Sequence, residues 1–106
     1  MKVSKSLVIA SAALLSLSMS NIALADGAAL FKAKTCTACH GKDAQTPLLP
    51  IYPKLAGQNA DYAFNQMMDI KSGARANGQS AAMKGVMGLV NEAEIREIAD
   101  WLATLK

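Results

Sequence analysis

The chain places both of its cysteines and its only histidine within five residues, Cys36-Thr37-Ala38-Cys39-His40. No other feature restricts the fold as tightly. Two thiols three positions apart, followed at once by an imidazole, form the C-x-x-C-H order of a c-type haem attachment site. On one turn of helix the two sulfurs reach the two vinyl groups of a single haem and form thioethers. His40 then supplies an imidazole beneath the iron as proximal ligand. In this reading Cys36 and Cys39 carry the covalent haem and His40 is a metal ligand.

Other uses of these residues fit less well. Two cysteines cannot build the disulfide framework of a small secreted scaffold, and with one histidine they cannot complete a four-ligand structural zinc site. A Cys36–Cys39 disulfide closes too small a loop to stabilise much. A thiol-disulfide redox pair needs a lowered thiolate pKa and usually sits in a βαβ context, for which the sequence gives no strand signal. Aromatic residues make up only 5% of the chain, and no G-x-x-x-x-G-K-[ST] loop occurs. A nucleic-acid partner and nucleotide chemistry are therefore not expected.

The first 25 residues read as a cleaved secretory leader. Lys2 and Lys5 form a positive n-region, Leu7 to Leu17 an apolar stretch, and Ala23-Leu24-Ala25 an A-x-A cleavage site. A membrane span needs about 20 predominantly apolar residues, and this one is interrupted by Ser11, Ser16, Ser18, Ser20 and Asn21. The expectation is export to the periplasm with no stable membrane anchor, leaving one domain over 26–106. Removal of two lysines reduces the formal charge of +3 to nine basic against eight acidic side chains. Steering of a partner then has to come from local clusters. A domain this small often needs a staple, metal or cofactor to complete its core.

Along 26–106 the pattern is all-α. Asp26 caps an Ala-rich helix through Phe31 and Ala33. From Gly41 to Gly57, Pro47, Pro50 and Pro53 mark a loop that wraps something. Asn59 or Asp61 opens a second helix through Met67 and Ile70, which Ser72-Gly73 ends. Residues 72–88 read as a second long loop with at most one helical turn after Ser80. Asn91, with Glu94 three residues on, forms a capping box for the last helix, and Val90 against Ile95 a hydrophobic staple. The apolar stripe there is Ile95, Ile98, Leu102 and Leu105, with Glu92 and Arg96 spaced as an i,i+4 pair on the other side.

Three strings together carry a resemblance: Cys36-Thr-Ala-Cys39-His40-Gly41, Tyr52-Pro53-Lys54-Leu55-Ala56-Gly57-Gln58 and Ile70-Lys71-Ser72-Gly73-Ala74-Arg75. The chain resembles the class I c-type cytochromes, most nearly one half of the periplasmic dihaem cytochromes c. It departs from that pattern in holding a single C-x-x-C-H. One haem is implied, not two. The resemblance implies three to five short helices wrapped around that haem, with the Pro53 carbonyl receiving the Nδ1 proton of His40. It also implies that Gly27 and Phe31 lie where the first helix crosses the last, Phe31 near Trp101.

A second axial ligand has to come from another residue type, and a methionine thioether is the soft ligand suited to a c-type haem. Met1 and Met19 leave with the leader, and Met67 and Met68 fall in a helical pattern where methionine is ordinarily core. Met83 and Met87 remain, and helical spacing does not separate them. Counting back from Val90 in the similar family puts Met83 at the ligand position, with Met87 as the alternative.

Arg75, Lys54, Gln58 and Tyr52 are candidates to meet the haem propionates. Lys32, Lys34, Lys42, Lys54, Lys71 and Lys84 are candidates to ring the haem edge, and the small residues Thr37, Ala38 and Gly41 could expose an apolar docking patch instead. Six-coordinate iron leaves no open position for substrate, so the function expected is one-electron transfer and not enzymatic turnover. Its partners would be transient redox proteins: membrane cytochrome complexes, terminal oxidases or reductases. The alternative is a haem peroxidase or gas-binding cytochrome with an open distal site.

Overall fold

The Asp26 carboxylate accepts the Ala28 amide at 2.9 Å and starts α1, Gly27–Ala33. The computed structural model describes residues 26–106, so the leader expected over 1–25 and its cleavage site lie outside the described residues. Thr35 follows α1 with φ 64, a left-handed conformation uncommon for a β-branched residue. It turns the chain directly into α2, Thr37–His40, a single helical turn. Gly41 then leaves α2 with φ 86. A Cβ there would run into the Thr46 carbonyl, so only glycine fits.

The proline-rich stretch that follows is irregular, and it folds back on α2. Leu48 donates to the Cys39 carbonyl at 2.9 Å, and the carbonyl of fully buried Ala44 accepts from Leu55 and Ala56 at 2.9 and 3.1 Å. Its buried backbone is thereby paired without regular structure. Gly57 ties the end of the loop to the last helix through the Leu102 carbonyl at 2.9 Å.

Helix α3 spans Ala60–Ser72, with Asn59 as N-cap and Gly73 at its end with φ 90, donating back to Asp69 and Ile70. The expected loop before the last helix proves to contain two turns of helix, α4, Ser80–Met87. Ala81, Ala82, Met83 and Lys84 are strong helix formers; Gly85 and the polar run before Ser80 obscure their period in the sequence. Helix α5, Glu92–Thr104, begins with the capping box in full, both Asn91–Glu94 bonds being made. All regular structure among the described residues is helical.

Helix α5 packs on α1 and α3, and α4 leans on α3. The buried face of α5 is Ile95, Ile98, Ala99 and Leu102. Across it Phe31 meets Trp101 with ring centroids 5.2 Å apart and planes at 49°. Gly27 makes the crossing close, since a Cβ there would lie 2.5 Å from the Trp101 Cβ and strike the Glu97 carbonyl.

Arg96 departs from its expected Glu92 partner. Its guanidinium reaches Asp61 of α3 at 3.0 Å and Asp100 at 3.6 Å, and it lies 4.0 Å from the centre of the Phe64 ring. Packing of α5 against α3 offers it both an aromatic face and a carboxylate, which the i,i+4 neighbour alone does not.

Candidate functional site

Because α2 is one turn long, it delivers Cys36, Cys39 and His40 together. The cysteines are half-buried and not bonded to each other, and His40 is almost fully buried. Burial pushes the Cys36 thiol up from its ordinary value. That is the reverse of the lowered pKa a thiol-disulfide catalyst needs.

The His40 Nδ1 lies 2.9 Å from the Pro53 carbonyl oxygen. A carbonyl can only accept, so the imidazole proton resides on Nδ1 and Nε2 keeps a free lone pair. Such a bond fixes both tautomer and ring plane, the usual support for a metal-ligating histidine.

These groups border a cavity of about 490 Å³. Cys36, Cys39 and His40 line it from α2, Pro53 from the proline loop, and Met83 and Met87 from α4. Its wall is otherwise largely apolar, with buried Met67, Ile70, Val90 and Leu102. The size is that of a small-molecule or cofactor site. The donor set is two thiols, one oriented imidazole and the thioethers of Met67, Met83 and Met87 in a largely apolar chamber, which fits an iron porphyrin attached through sulfur.

The comparisons agree. Residues 24–106 match the family model for cytochrome c. The chain belongs to the cytochrome c family. Haem c, covalently bound, is thus the cofactor of this cytochrome, and the single C-x-x-C-H provides for one. The chain is 38% identical over 96 residues to a cytochrome c4 of Pseudomonas aeruginosa, an alignment covering 88% of this cytochrome and 46% of that one. It is 37% identical over 73 residues to cytochrome c-554(548) of Halomonas halodenitrificans, covering 69% of this chain and 87% of the relative. With cytochrome c-553 of Nitratidesulfovibrio vulgaris it shares 30% over 81 residues, 76% of this chain and 78% of the other. This cytochrome spans about half the length of the cytochrome c4 relatives it matches.

Lys32, Lys42 and Lys84, like Thr37, Ala38 and Gly41, do not line the cavity, and the remaining sequence-predicted residues divide into two groups. Tyr52, Lys54, Gln58 and Arg75 all line the cavity, and Arg75 donates to Gln66 Oε1 at 3.0 Å. Lys34 and Lys71, however, are not free charges around the haem edge. Both are spent on backbone carbonyls beside α4.

Met67 was expected only as core; in this cytochrome it is buried and also lines the cavity. The signal was present in its spacing with Ala63 and Ile70, which puts all three on one face of α3. Without the fold, nothing says that this face lines the cavity as well as meeting α5.

Proposed function

We propose that the protein is a periplasmic one-electron carrier, its leader removed after residue 25, with haem iron ligated by His40 Nε2 and the Met83 thioether. Haem c supplies the one-electron exchange. Cys36 and Cys39 tether it, so it is not lost between encounters. His40, its Nδ1 proton held by Pro53, offers a pre-oriented lone pair. Met67, Ile70, Val90 and Leu102 keep water from the buried wall of the chamber, which bears on the potential.

Convergence of Cys36, Cys39, His40 and Met83 on one cavity is the observation that carries this reading. Met83 is favoured over Met87 because Met87 is already packed into the core at 2% exposure, whereas Met83 is only partly buried at the cavity wall. Were His40 and Met83 both to ligate the bound haem, no position would remain for a substrate, and the chain would pass single electrons to transient redox partners, membrane cytochrome complexes or terminal oxidases and reductases. One relative, 33% identical over 73 residues, bears the name thiosulfate dehydrogenase electron acceptor, in Stutzerimonas stutzeri. Among the described residues no helix is long and apolar enough to cross a membrane.

The test is expression of the full chain in a host with haem-ligation machinery, followed by intact mass and absorbance of the exported product. One haem per chain, a mass lacking residues 1–25, and a thioether-to-iron charge-transfer band in the ferric protein are expected. Met83→Leu should abolish that band and Met87→Leu retain it. The opposite pattern transfers the ligand to Met87. Fast cyanide or CO binding at neutral pH, without denaturant, points instead to the peroxidase or gas-binding alternative.

A further inference from the structure

Lys71 lies in the last turn of α3, half-buried, with its ammonium turned to the backbone just beyond α4. Nζ donates to the Met87 carbonyl at 2.8 Å and to the Val90 carbonyl at 2.5 Å. From the other side Lys34, the residue after α1, donates to the Leu89 carbonyl at 3.1 Å and pairs with Glu94 at 3.4 Å. Three carbonyls within four residues are thus held by two ammonium groups from different elements.

Helix α4 has few local supports of its own. It has eight residues and no side-chain cap at its start, and it contains Gly85, a poor helix former. A helix that short has little stability of its own. The last carbonyls of any helix lack intrahelical partners and carry partial negative charge, so a cation there satisfies and stabilises them together. Met87 supplies one of the carbonyls, and Met83 lies one turn earlier on the same face of α4. Displacement of the turn that follows α4 is therefore transmitted to both thioethers.

We propose that Lys71, assisted by Lys34, is a positioning residue for the distal thioether: by clamping the Met87–Val90 turn to α3 it holds α4 in place at the cavity wall. This rests on the reading that α4 supplies the distal ligand. Removing the clamp leaves the covalent haem attached and makes the thioether easier to displace.

The experiment uses the ferric, haem-loaded exported product and reads two quantities, the thioether-to-iron charge-transfer band and the dissociation constant for added imidazole. Lys71→Leu should weaken the band and tighten imidazole binding about tenfold, the equivalent of one lost charge-assisted hydrogen bond. Lys71→Gln, which keeps a donor on a shorter stem, should fall between Lys71→Leu and wild type, and it carries the test if the leucine variant does not fold. Lys71→Arg should restore wild-type values. Asp26→Ala, which loosens the start of α1 away from α4, should leave imidazole binding unchanged. Unaltered band and affinity in the leucine and glutamine variants overturn the role of Lys71 and leave the ligation reading standing. An equal change in Asp26→Ala overturns it too, because general loosening then accounts for the effect. A wild-type protein without the band removes the ligation reading, and this inference with it.

Discussion

The Nδ1 of His40 and the carbonyl of Pro53 are hydrogen-bonded at 2.9 Å, and the acceptor belongs to the backbone, not to a side chain. Replacing the proline ring therefore leaves the acceptor in place. We predict that Pro53→Ala retains covalent haem and an unchanged ferric spectrum, and loses only about 0.4–1 kcal/mol through the greater freedom of its unfolded chain. Optical spectra and urea unfolding measure both. A shifted spectrum at full haem content would show that the proline ring itself holds the carbonyl in place.

Gly27→Ala should be far more damaging than its single methyl suggests. The new Cβ would lie 2.5 Å from the Trp101 Cβ and against the Glu97 backbone, and neither can move without separating α1 from α5. A cost of about 1–3 kcal/mol is expected from overpacking. For a domain of this size that lowers Tm by about 4–8 °C per kcal/mol. Equal melting temperatures for the two proteins would mean that the helices slide apart freely.

The Asn91–Glu94 capping box makes stability pH-dependent at the acid end. The Glu94 carboxyl is held below its ordinary value of 4.5, first by its hydrogen bond from the Asn91 amide and then by Lys34. Since the unfolded chain protonates this group at higher pH than the folded one, the contribution is complete above 4.5 and disappears as pH falls through the lowered folded value. Glu94→Gln should flatten that part of the stability curve while keeping an acceptor for the Asn91 amide. Asn91→Ala should cost about 1 kcal/mol at neutral pH. Denaturant titrations at stepped pH would expose the error if the wild-type and glutamine curves ran parallel.

Met83 and Met87 should separate packing from ligation. Met87 is 2% exposed in the core, so Met87→Ala is predicted to cost about 2–5 kcal/mol through transfer and cavity terms. Met83 is only partly buried, so the packing part of the cost of Met83→Ala should be well under that. In the haem-loaded protein the order of spectral effects reverses, Met83→Ala being the variant that loses the charge-transfer band. Thermal melts read the first comparison and absorbance the second.

Much of the site was legible because its chemistry is written at short range. Cys36, Cys39 and His40 lie within one helical turn, and Asn91 and Glu94 bond across three residues, so neither arrangement needs the rest of the fold. The pairing of His40 with Pro53 and the Gly27 crossing were legible only by likeness to a family. Taken alone, Pro53 reads as a turn former and Gly27 as an ordinary helix residue. Helix α4 was underestimated because Gly85 and the polar run before Ser80 mask a strong run of helix formers.

The sequence by itself determined the cofactor chemistry, the helical class and the start of the last helix, all through residues whose spacing fixes their geometry locally. Tertiary structure decided where the side chains of Lys34, Lys71, Met67 and Arg96 are spent. Lys71 meets Val90 nineteen residues away and Arg96 meets Asp61 thirty-five away. Charge and helical period restrict such a side chain to a face, but its partner exists only once packing has brought another element to that face.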